Sequence, residues 1–206
     1  MIVLWGRLNS LNVRKVAWCL EEIGAPYRRI DAGLEHGVVT TPDYLAMNPN
    51  GLVPTIRDGD FTLWESNAIL RYLCAKHSEA GFWPVDAAMR ALGDRWMDWQ
   101  QTSLTPAGSA AFHGLVRTAP EKRDLDAIEA SRLASEKRLA ILDAHLADKE
   151  WLDGRAFGLA EFAAAPQIHR WFNMPIQREE RPHIARWLAA IMTRPAAART
   201  LTLPIT

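Results

Sequence analysis

The stretch that decides the fold is WESNAILRYL, residues 64–73. Its apolar residues recur at spacings of three and four, which predicts a helix that begins at Glu65 and buries one face. Just before it, residues 53–57 and 60–63 are typical of two short strands, and Asp58-Gly59 between them predicts a tight hairpin turn. This part of the chain is therefore predicted to be an antiparallel strand pair followed by a helix.

Toward the N-terminus, strands and helices alternate. An apolar run at residues 2–5 indicates a buried strand, and a helical period begins at Asn12 and ends before Gly24. A second strand is predicted at residues 27–31 and a short helix at residues 42–47. The predicted order is β-α-β-α-β-β-α. In this α/β arrangement the two helix-linked strands are parallel and the hairpin strands antiparallel.

Beyond residue 80 the sequence has no strand pattern. Residues 78–86 contain glycine and proline and are interpreted as a linker. The predicted domains are therefore an α/β domain at residues 1–80 and an all-α domain at residues 86–206. The tail from Pro195 is expected to be loosely held. The predicted helices of the second domain cover residues 86–114, 121–148, 159–172 and 182–192.

The composition excludes several classes of function. Of 206 residues, 24 are Lys or Arg and 24 are Asp or Glu, and a net charge of zero argues against nucleic acid as the main partner. A small anionic ligand remains compatible with that balance. No basic region with a cleavage site follows Met1 and no apolar run reaches membrane-spanning length, so we expect a cytoplasmic protein with no membrane partner. Cys19 and Cys74 are predicted to be buried thiols rather than a disulfide.

Three segments, in this order and at this spacing, resemble the glutathione S-transferase superfamily and its bacterial theta-, beta- and nu-like members. They are SLNVRKV at residues 10–16, NPNGLVP at residues 48–54, and residues 64–73. The resemblance covers essentially the whole chain. It implies a thioredoxin-like first domain, a helical glutathione S-transferase C-terminal domain and a homodimer. It also implies glutathione as co-substrate, with no metal.

The resemblance places glutathione along the second and third segments. Pro54 is expected to be cis, which exposes the backbone of Val53 to pair with the cysteinyl part of glutathione like an added strand. Glu65 and Ser66 lie at a helix N-terminus, where backbone N–H groups and the helix dipole suit a carboxylate. Ser66 is expected to bind the γ-glutamyl carboxylate, and Glu65 the γ-glutamyl ammonium. The alternatives are an ordinary proline before a strand and a Glu-Ser pair that only caps the helix.

The resemblance also places the glutathione sulfur at the first segment. A free thiol has a pKa of about 8.5, so a catalyst of thiol attack must favour the thiolate. Relatives use Tyr, Ser or Cys here, and this chain has neither Tyr nor Cys before residue 19, so Ser10 is the leading catalytic candidate. Asn12 is the second candidate, because some bacterial relatives place an amide there. The alternative is that both residues only cap the helix.

Two positions depart from the family pattern. Many relatives carry Lys or Arg before the Val-Pro pair, to bind the glycyl carboxylate, and this chain has Leu52. His36, Arg14 or a backbone group remain as replacements. The second departure is Gly158, where relatives usually have Ser or Thr. Gly158 can still cap the following helix, without a side-chain oxygen.

The implied function is a detoxifying glutathione transferase whose thiolate attacks a small hydrophobic electrophile. We expect that electrophile between the Ser10 loop and the helix after the linker, near Trp99, Phe112 and His113. One alternative keeps the site but makes the protein a glutathione-dependent disulfide reductase or peroxidase. The other is a non-catalytic ligand-binding or interaction protein on the same fold.

Overall fold

The computed structural model describes residues 1–205 and contains a four-stranded sheet in the order β2-β1-β3-β4. The apolar run Ile2–Trp5 forms β1, which is buried along its whole length. It pairs in parallel with β2 (Tyr27–Ile30) and antiparallel with β3 (Thr55–Asp58), and β3 pairs antiparallel with β4 (Phe61–Trp64). The predicted α/β order and strand directions are confirmed.

Three helices pack with this sheet: α1 (Leu11–Glu22), α2 (Pro42–Met47) and α3 (Ser66–Lys76). Two predicted boundaries shift slightly. Strand β3 begins at Thr55 rather than at residue 53, because Pro54 has no N–H to donate to a sheet. Helix α3 begins at Ser66, and Glu65 is its N-cap.

The second half is helical, as predicted, but its first helix is interrupted. The predicted helix over residues 86–114 consists of α4 (Ala87–Trp99) and α5 (Thr105–Phe112), each followed by one π turn. Pro106 lies in the first turn of α5, where its missing N–H and its ring disturb the α-helical hydrogen bonds of the preceding turn. The π turns span Gln100–Leu104 and His113–Arg117.

The remaining helices are α6 (Leu125–His145), α7 (Leu159–Phe172), α8 (Pro182–Met192) and α9 (Pro195–Leu201). Gly158 is the N-cap of α7, as predicted, and Glu161 accepts hydrogen bonds from the backbone N–H groups of Leu152 and Gly158. Among the described residues, no helix is long and apolar enough to cross a membrane.

The expectation of a loosely held tail is wrong. Residues 195–201 form α9, whose Ala197 and Leu201 are buried in the core. Arg194, just before α9, makes a two-pronged ion pair with Glu22 of α1, at 3.0 and 2.6 Å. The alanines that suggest a flexible tail are small residues that allow α9 to approach α1 closely.

The two cysteines lie in the core, as predicted. Cys19 on α1 and Cys74 on α3 are both fully buried, and their sulfurs are 3.8 Å apart as free thiols. Burial raises the pKa of the Cys19 thiol well above its ordinary value. These thiols are therefore packing residues of the α1–α3 interface.

Candidate active site

The loop before β3 is fixed from below by buried polar groups. The Tyr44 hydroxyl and the Asn48 amide both donate to the carbonyl oxygen of Leu52, at 2.6 and 2.8 Å. Both side chains also contact the Thr55 hydroxyl, at 2.8 and 3.0 Å. The next peptide bond, Val53–Pro54, is cis, which confirms that prediction. The loop thus presents the backbone of residue 53 in one fixed orientation.

The N-terminus of α3 adjoins this loop. Ser66 begins the helix and is only 6% exposed, whereas Glu65 before it is exposed. Glu65 has a φ of +72°, a conformation that costs a non-glycine residue about 1–3 kcal/mol. Its side chain makes no capping hydrogen bond within residues 1–205. Capping therefore does not account for a glutamate held in this strained position.

These two segments line a first cleft of about 60 Å³. It brings together all four residues predicted to bind glutathione, which come from two separate sequence motifs. Asn12, in the first turn of α1, lines the same cleft, but Ser10 does not. The residues lining the first cleft are Asn12, Asn48, Asn50, Leu52, Val53, Pro54, Trp64, Glu65 and Ser66.

Ser10 lines a second cleft, of about 190 Å³, between the β1–α1 loop and the helical half. Asn12 lines this cleft as well, so the start of α1 borders both spaces. Ser10 is the N-cap of α1, yet its side chain makes no capping hydrogen bond with the described residues. The residues lining the second cleft are Arg7, Ser10, Leu11, Asn12, Thr105, Ser109, Phe112, His113, Arg117 and Arg170.

The structure separates the three residues that were expected near the electrophile. Phe112 and His113 line the second cleft with Ser10, but Trp99 does not. Trp99 packs edge-on against Trp96, at 5.1 Å between ring centroids, and lines a separate surface groove with Ile141. The π turn at residues 100–104 lies between Trp99 and the helix that carries Phe112.

Sequence reasoning missed the positive charge of the second cleft. Three guanidinium groups line it, and those of Arg170 and Arg117 lie 3.8 and 4.8 Å from the ring centroid of Phe112. Burial, followed by the charges of Arg117 and Arg14, lowers the pKa of Arg170 to about 10. Burial, followed by the charges of Arg117 and Arg170, also lowers the pKa of His113. No local motif joins these residues, since they come from three distant parts of the chain.

The structure also bears on the departure at Leu52, whose side chain is 66% exposed. The Arg14 guanidinium already donates to the carbonyl oxygens of Leu8 and Pro204, so Arg14 is not a free cation at either cleft. His36 is exposed and lies 3.3 Å from a carboxylate oxygen of Glu35. Sequence reasoning overlooked Arg7 as a possible cation near the glycyl end.

Arg7 lies near Val53, which lines the first cleft. A methyl group placed on Gly33 would be 2.7 Å from Arg7 Nη1 and 3.6 Å from Val53 Cγ1, so the guanidinium and Val53 flank the same point. Arg7 Nε is buried and has no hydrogen-bond partner among residues 1–205. A buried donor without a partner is costly, and a bound acceptor would satisfy it.

A buried lysine, Lys15, joins the two halves of the molecule near the site. Lys15 Nζ donates to Gln100 Oε1 at 2.7 Å and to Asn67 Oδ1 at 3.3 Å, which joins α1 to α3 and to the π turn of the helical half. Burial, then the charge of Arg170, lowers the pKa of Lys15 to about 7, while Glu65 acts in the opposite direction. This lysine links the two halves of the molecule under the site.

Together these features define a class of protein: a thioredoxin-like domain with a cis-proline loop and an open helix N-terminus, joined to a helical domain across a cleft. Family models for the glutathione S-transferase N-terminal and C-terminal domains match residues 9–76 and 124–190. The chain is 45% identical over 207 residues to glutathione S-transferase GstB of Escherichia coli, and covers 100% of both sequences. It belongs to the glutathione S-transferase family.

Two further relatives bear on function. One is a crystal structure of the theta class glutathione S-transferase of Xanthomonas axonopodis pv. citri with glutathione bound. It superposes with a TM-score of 0.96 at 45% identity, and covers 100% of this chain and 99% of that one. The other is disulfide-bond oxidoreductase YfcG of Escherichia coli, which is 29% identical over 92% of this chain and 90% of its own.

Proposed function

We propose that this protein is a glutathione transferase that binds glutathione in the first cleft and its electrophile in the second. One observation carries the proposal: Asn12 borders both clefts, and Ser10 lies two residues before it at the N-terminus of α1. A thiol at that border is bound from one side and open to attack on the other. The glutathione-bound relative supports glutathione as the ligand.

Glutathione lies extended along the first cleft in this proposal. The backbone of Val53 pairs with the cysteinyl segment, and Pro54 sets the direction of that backbone. The γ-glutamyl carboxylate meets the Ser66 hydroxyl and the N–H groups at the start of α3, while Glu65 pairs with the ammonium. The strained conformation of Glu65 supports this role, since strained residues cluster at ligand sites.

Arg7 meets the glycyl carboxylate in this arrangement. Leu52 brings no charge, and Arg14 is held by backbone carbonyl groups, whereas Arg7 lies beside Val53 with an unpaired buried donor. Among the described residues, it is the guanidinium that flanks Val53 in this way. A guanidinium can bind a carboxylate with two parallel hydrogen bonds.

The Ser10 hydroxyl and the Asn12 amide donate hydrogen bonds to the sulfur. Because donors and a helix N-terminus favour the anion, the thiol loses its proton to water near neutral pH. The thiolate then forms a bond to an electrophilic carbon, and the leaving group departs with the electrons of its bond to that carbon. Besides this activation, holding both reactants together lowers the barrier.

A second candidate function is supported by the similarity to disulfide-bond oxidoreductase YfcG. In that case two glutathione thiols are oxidised to glutathione disulfide while an external disulfide is reduced to two thiols. The buried Cys19 and Cys74 take no part, since neither sulfur is exposed. We propose also that the protein acts in the cytoplasm as a homodimer in detoxification, with domains at residues 1–80 and 86–206.

The test measures three properties of the wild type and of Ser10→Ala and Asn12→Ala. They are retention on immobilised glutathione, turnover of 1-chloro-2,4-dinitrobenzene and of a small disulfide, and the ultraviolet thiolate band of bound glutathione against pH. We expect the variants to bind glutathione but to raise its thiol pKa by about one unit each, the size of one such hydrogen bond. Asn50→Ala serves as control, since Asn50 lines only the first cleft. A wild type that neither retains glutathione nor turns over either substrate would refute the proposal.

A further inference from the structure

The second cleft does not have the chemistry of an apolar acceptor site. Its apolar lining residues are Leu11 and Phe112, and the other eight side chains are polar or charged. Every charged residue among the described lining residues is basic. A purely apolar molecule here would lie against polar and charged side chains and give them no hydrogen bond, which is costly.

Two of these cations each lie against the same aromatic ring. The guanidiniums of Arg170 and Arg117 both lie within 5 Å of the centroid of Phe112, on two different elements, α7 and the π turn after α5. Each is attracted to the electron-rich face of the ring but repelled by the other. The lowered pKa of Arg170, which burial causes first and Arg117 next, reflects that repulsion.

An anion near both guanidiniums would convert this repulsion into attraction. Arg170 is half-buried, so its charge acts in a medium less polar than water, and it is the residue type best suited to bidentate carboxylate binding. Ser10 lines the same cleft, with Thr105 and Ser109 as further polar lining residues. The cleft volume of about 190 Å³ accommodates a small acceptor.

We propose that the second cleft binds an electrophile that carries a carboxylate, which Arg117 and Arg170 recognise, while Phe112 contacts the rest of the acceptor. This inference rests on the proposed glutathione transferase function and specifies its substrate class. It narrows the hydrophobic electrophile predicted from sequence to one with an anionic end. Arg7 is assigned to the glycyl carboxylate of glutathione, whereas Arg117 and Arg170 are assigned to the carboxylate of the acceptor.

For an aryl chloride the reaction balances simply. The glutathione thiolate forms a C–S bond to the ring carbon, the C–Cl bond breaks, and chloride leaves with the bonding electrons. The acceptor carboxylate stays ionised throughout and acts only as a handle. It therefore affects which acceptor is chosen, and not the course of the substitution.

The experiment compares 4-chloro-3-nitrobenzoate with 4-chloro-3-nitrobenzamide, which have similar shape and the same leaving group but differ in charge. Each kcat/KM is divided by the uncatalysed rate with glutathione, because the two substituents activate the ring differently. We expect the wild type to prefer the carboxylate by about tenfold, the effect of one charge-assisted hydrogen bond. The preference should fall as sodium chloride is raised, since salt screens an open charged cleft.

Single-residue variants test which side chains cause the preference for the carboxylate over the amide. Arg117→Gln, which alters an exposed side chain, should reduce the carboxylate-to-amide ratio several-fold, whereas Arg117→Lys keeps the charge and should retain most of it. Arg170→Gln should act in the same direction. Arg95→Gln is the matched control: Arg95 also stacks on an aromatic ring, Trp96, but lines the separate groove with Trp99.

A binding measurement keeps the inference testable if catalysis is absent. Calorimetry with the unreactive pair 3-nitrobenzoate and 3-nitrobenzamide, in the presence of S-methylglutathione, should show the same preference. A wild type that turns over 1-chloro-2,4-dinitrobenzene but binds and uses both members of each pair equally would overturn the inference and leave the transferase function intact. A preference that Arg117→Gln and Arg170→Gln leave unchanged would also overturn it.

Discussion

The first and second clefts are built in opposite ways. The first is lined by short, local segments of the α/β half, whose shape is fixed by backbone geometry: a cis-proline loop and a helix N-terminus. The second is lined by long side chains from the β1–α1 loop, α5, a π turn and α7. In the proposed function, backbone features bind glutathione, which is common to every reaction, and side chains from distant elements select the acceptor.

The difference has an energetic basis. Backbone N–H groups in the first cleft are kept by every substitution except one to proline, and buried Tyr44 and Asn48 hold the loop in place. The charges of the second cleft depend on side chains that repel one another, so single substitutions change its preference. We therefore expect substitutions of the residues proposed to bind glutathione to alter glutathione affinity, and those of Arg117 and Arg170 to alter acceptor choice.

The largest effect should come from removing the γ-glutamyl contacts. Ser66→Ala combined with Glu65→Gln deletes a nearly buried hydroxyl and an exposed carboxylate. Each is proposed to make a charge-assisted hydrogen bond worth about 1.5–3 kcal/mol, so KM for glutathione should rise by at least about 100-fold. Steady-state kinetics with varied glutathione measures it, and the carboxylate-to-amide acceptor ratio should stay constant.

The matched control is Ser78→Ala with Glu79→Gln, which makes the same chemical changes in the turn after α3. It should leave KM for glutathione unchanged. A rise of less than threefold in the Ser66 and Glu65 variant would mean that the γ-glutamyl end binds elsewhere. A change in acceptor ratio would mean that the two clefts are not independent.

The same contrast explains what sequence could predict. The residues that meet at the first cleft could be picked out because the segments that resemble the family, with the Val53–Pro54 pair in one and the Glu65-Ser66 pair in another, are each local. The fold followed as well, since the hairpin and the strand–helix alternation are readable over short windows. Even the N-cap role of Gly158 could be inferred from three following residues.

The second cleft was not predictable, because its cations meet only after the chain has folded. Arg170 stands on α7 with no local sign that it faces Phe112, a contact that depends on how α5 and α7 pack. Trp99 was misplaced because it and His113, fourteen positions apart, would share one face of a regular helix, whereas the π turn after Trp99 changes that rotation. The tail from Pro195 was misjudged for a related reason, since its burial against α1 is a tertiary contact.

The next prediction concerns Lys15, whose hydrogen bonds join the α/β half to the helical half. Its pKa is about 7 in the folded protein and about 10.4 in an unfolded chain. Between these values the unfolded chain holds a proton that the folded protein has lost, so the free energy of unfolding should rise with pH. The slope from this group approaches about 1.4 kcal/mol per pH unit, or tenfold in the folding equilibrium.

Urea unfolding at a series of pH values from 6 to 10 tests this, as the difference between the wild type and Lys15→Met. That difference should change steadily above about pH 7 and be flat below it. Lys137→Met removes a lysine from an exposed position of α6 and corrects for the general effect of losing a charge. Equal pH profiles for the wild type and Lys15→Met would mean that Lys15 keeps its proton when the protein folds.

The smallest effect should come from Arg7, which lies where the two clefts approach each other. If Arg7 binds the glycyl carboxylate, then the wild type should prefer glutathione over γ-glutamylcysteine, whose chain ends one residue earlier. Arg7→Gln should reduce that preference by about fivefold, less than a fully buried pair because the site is half-open to water. The carboxylate-to-amide acceptor ratio should change little, since Arg117 and Arg170 remain. If Arg7→Gln instead lowers the acceptor ratio and leaves the preference for glutathione intact, Arg7 binds the acceptor in the second cleft and not the glycyl carboxylate of glutathione.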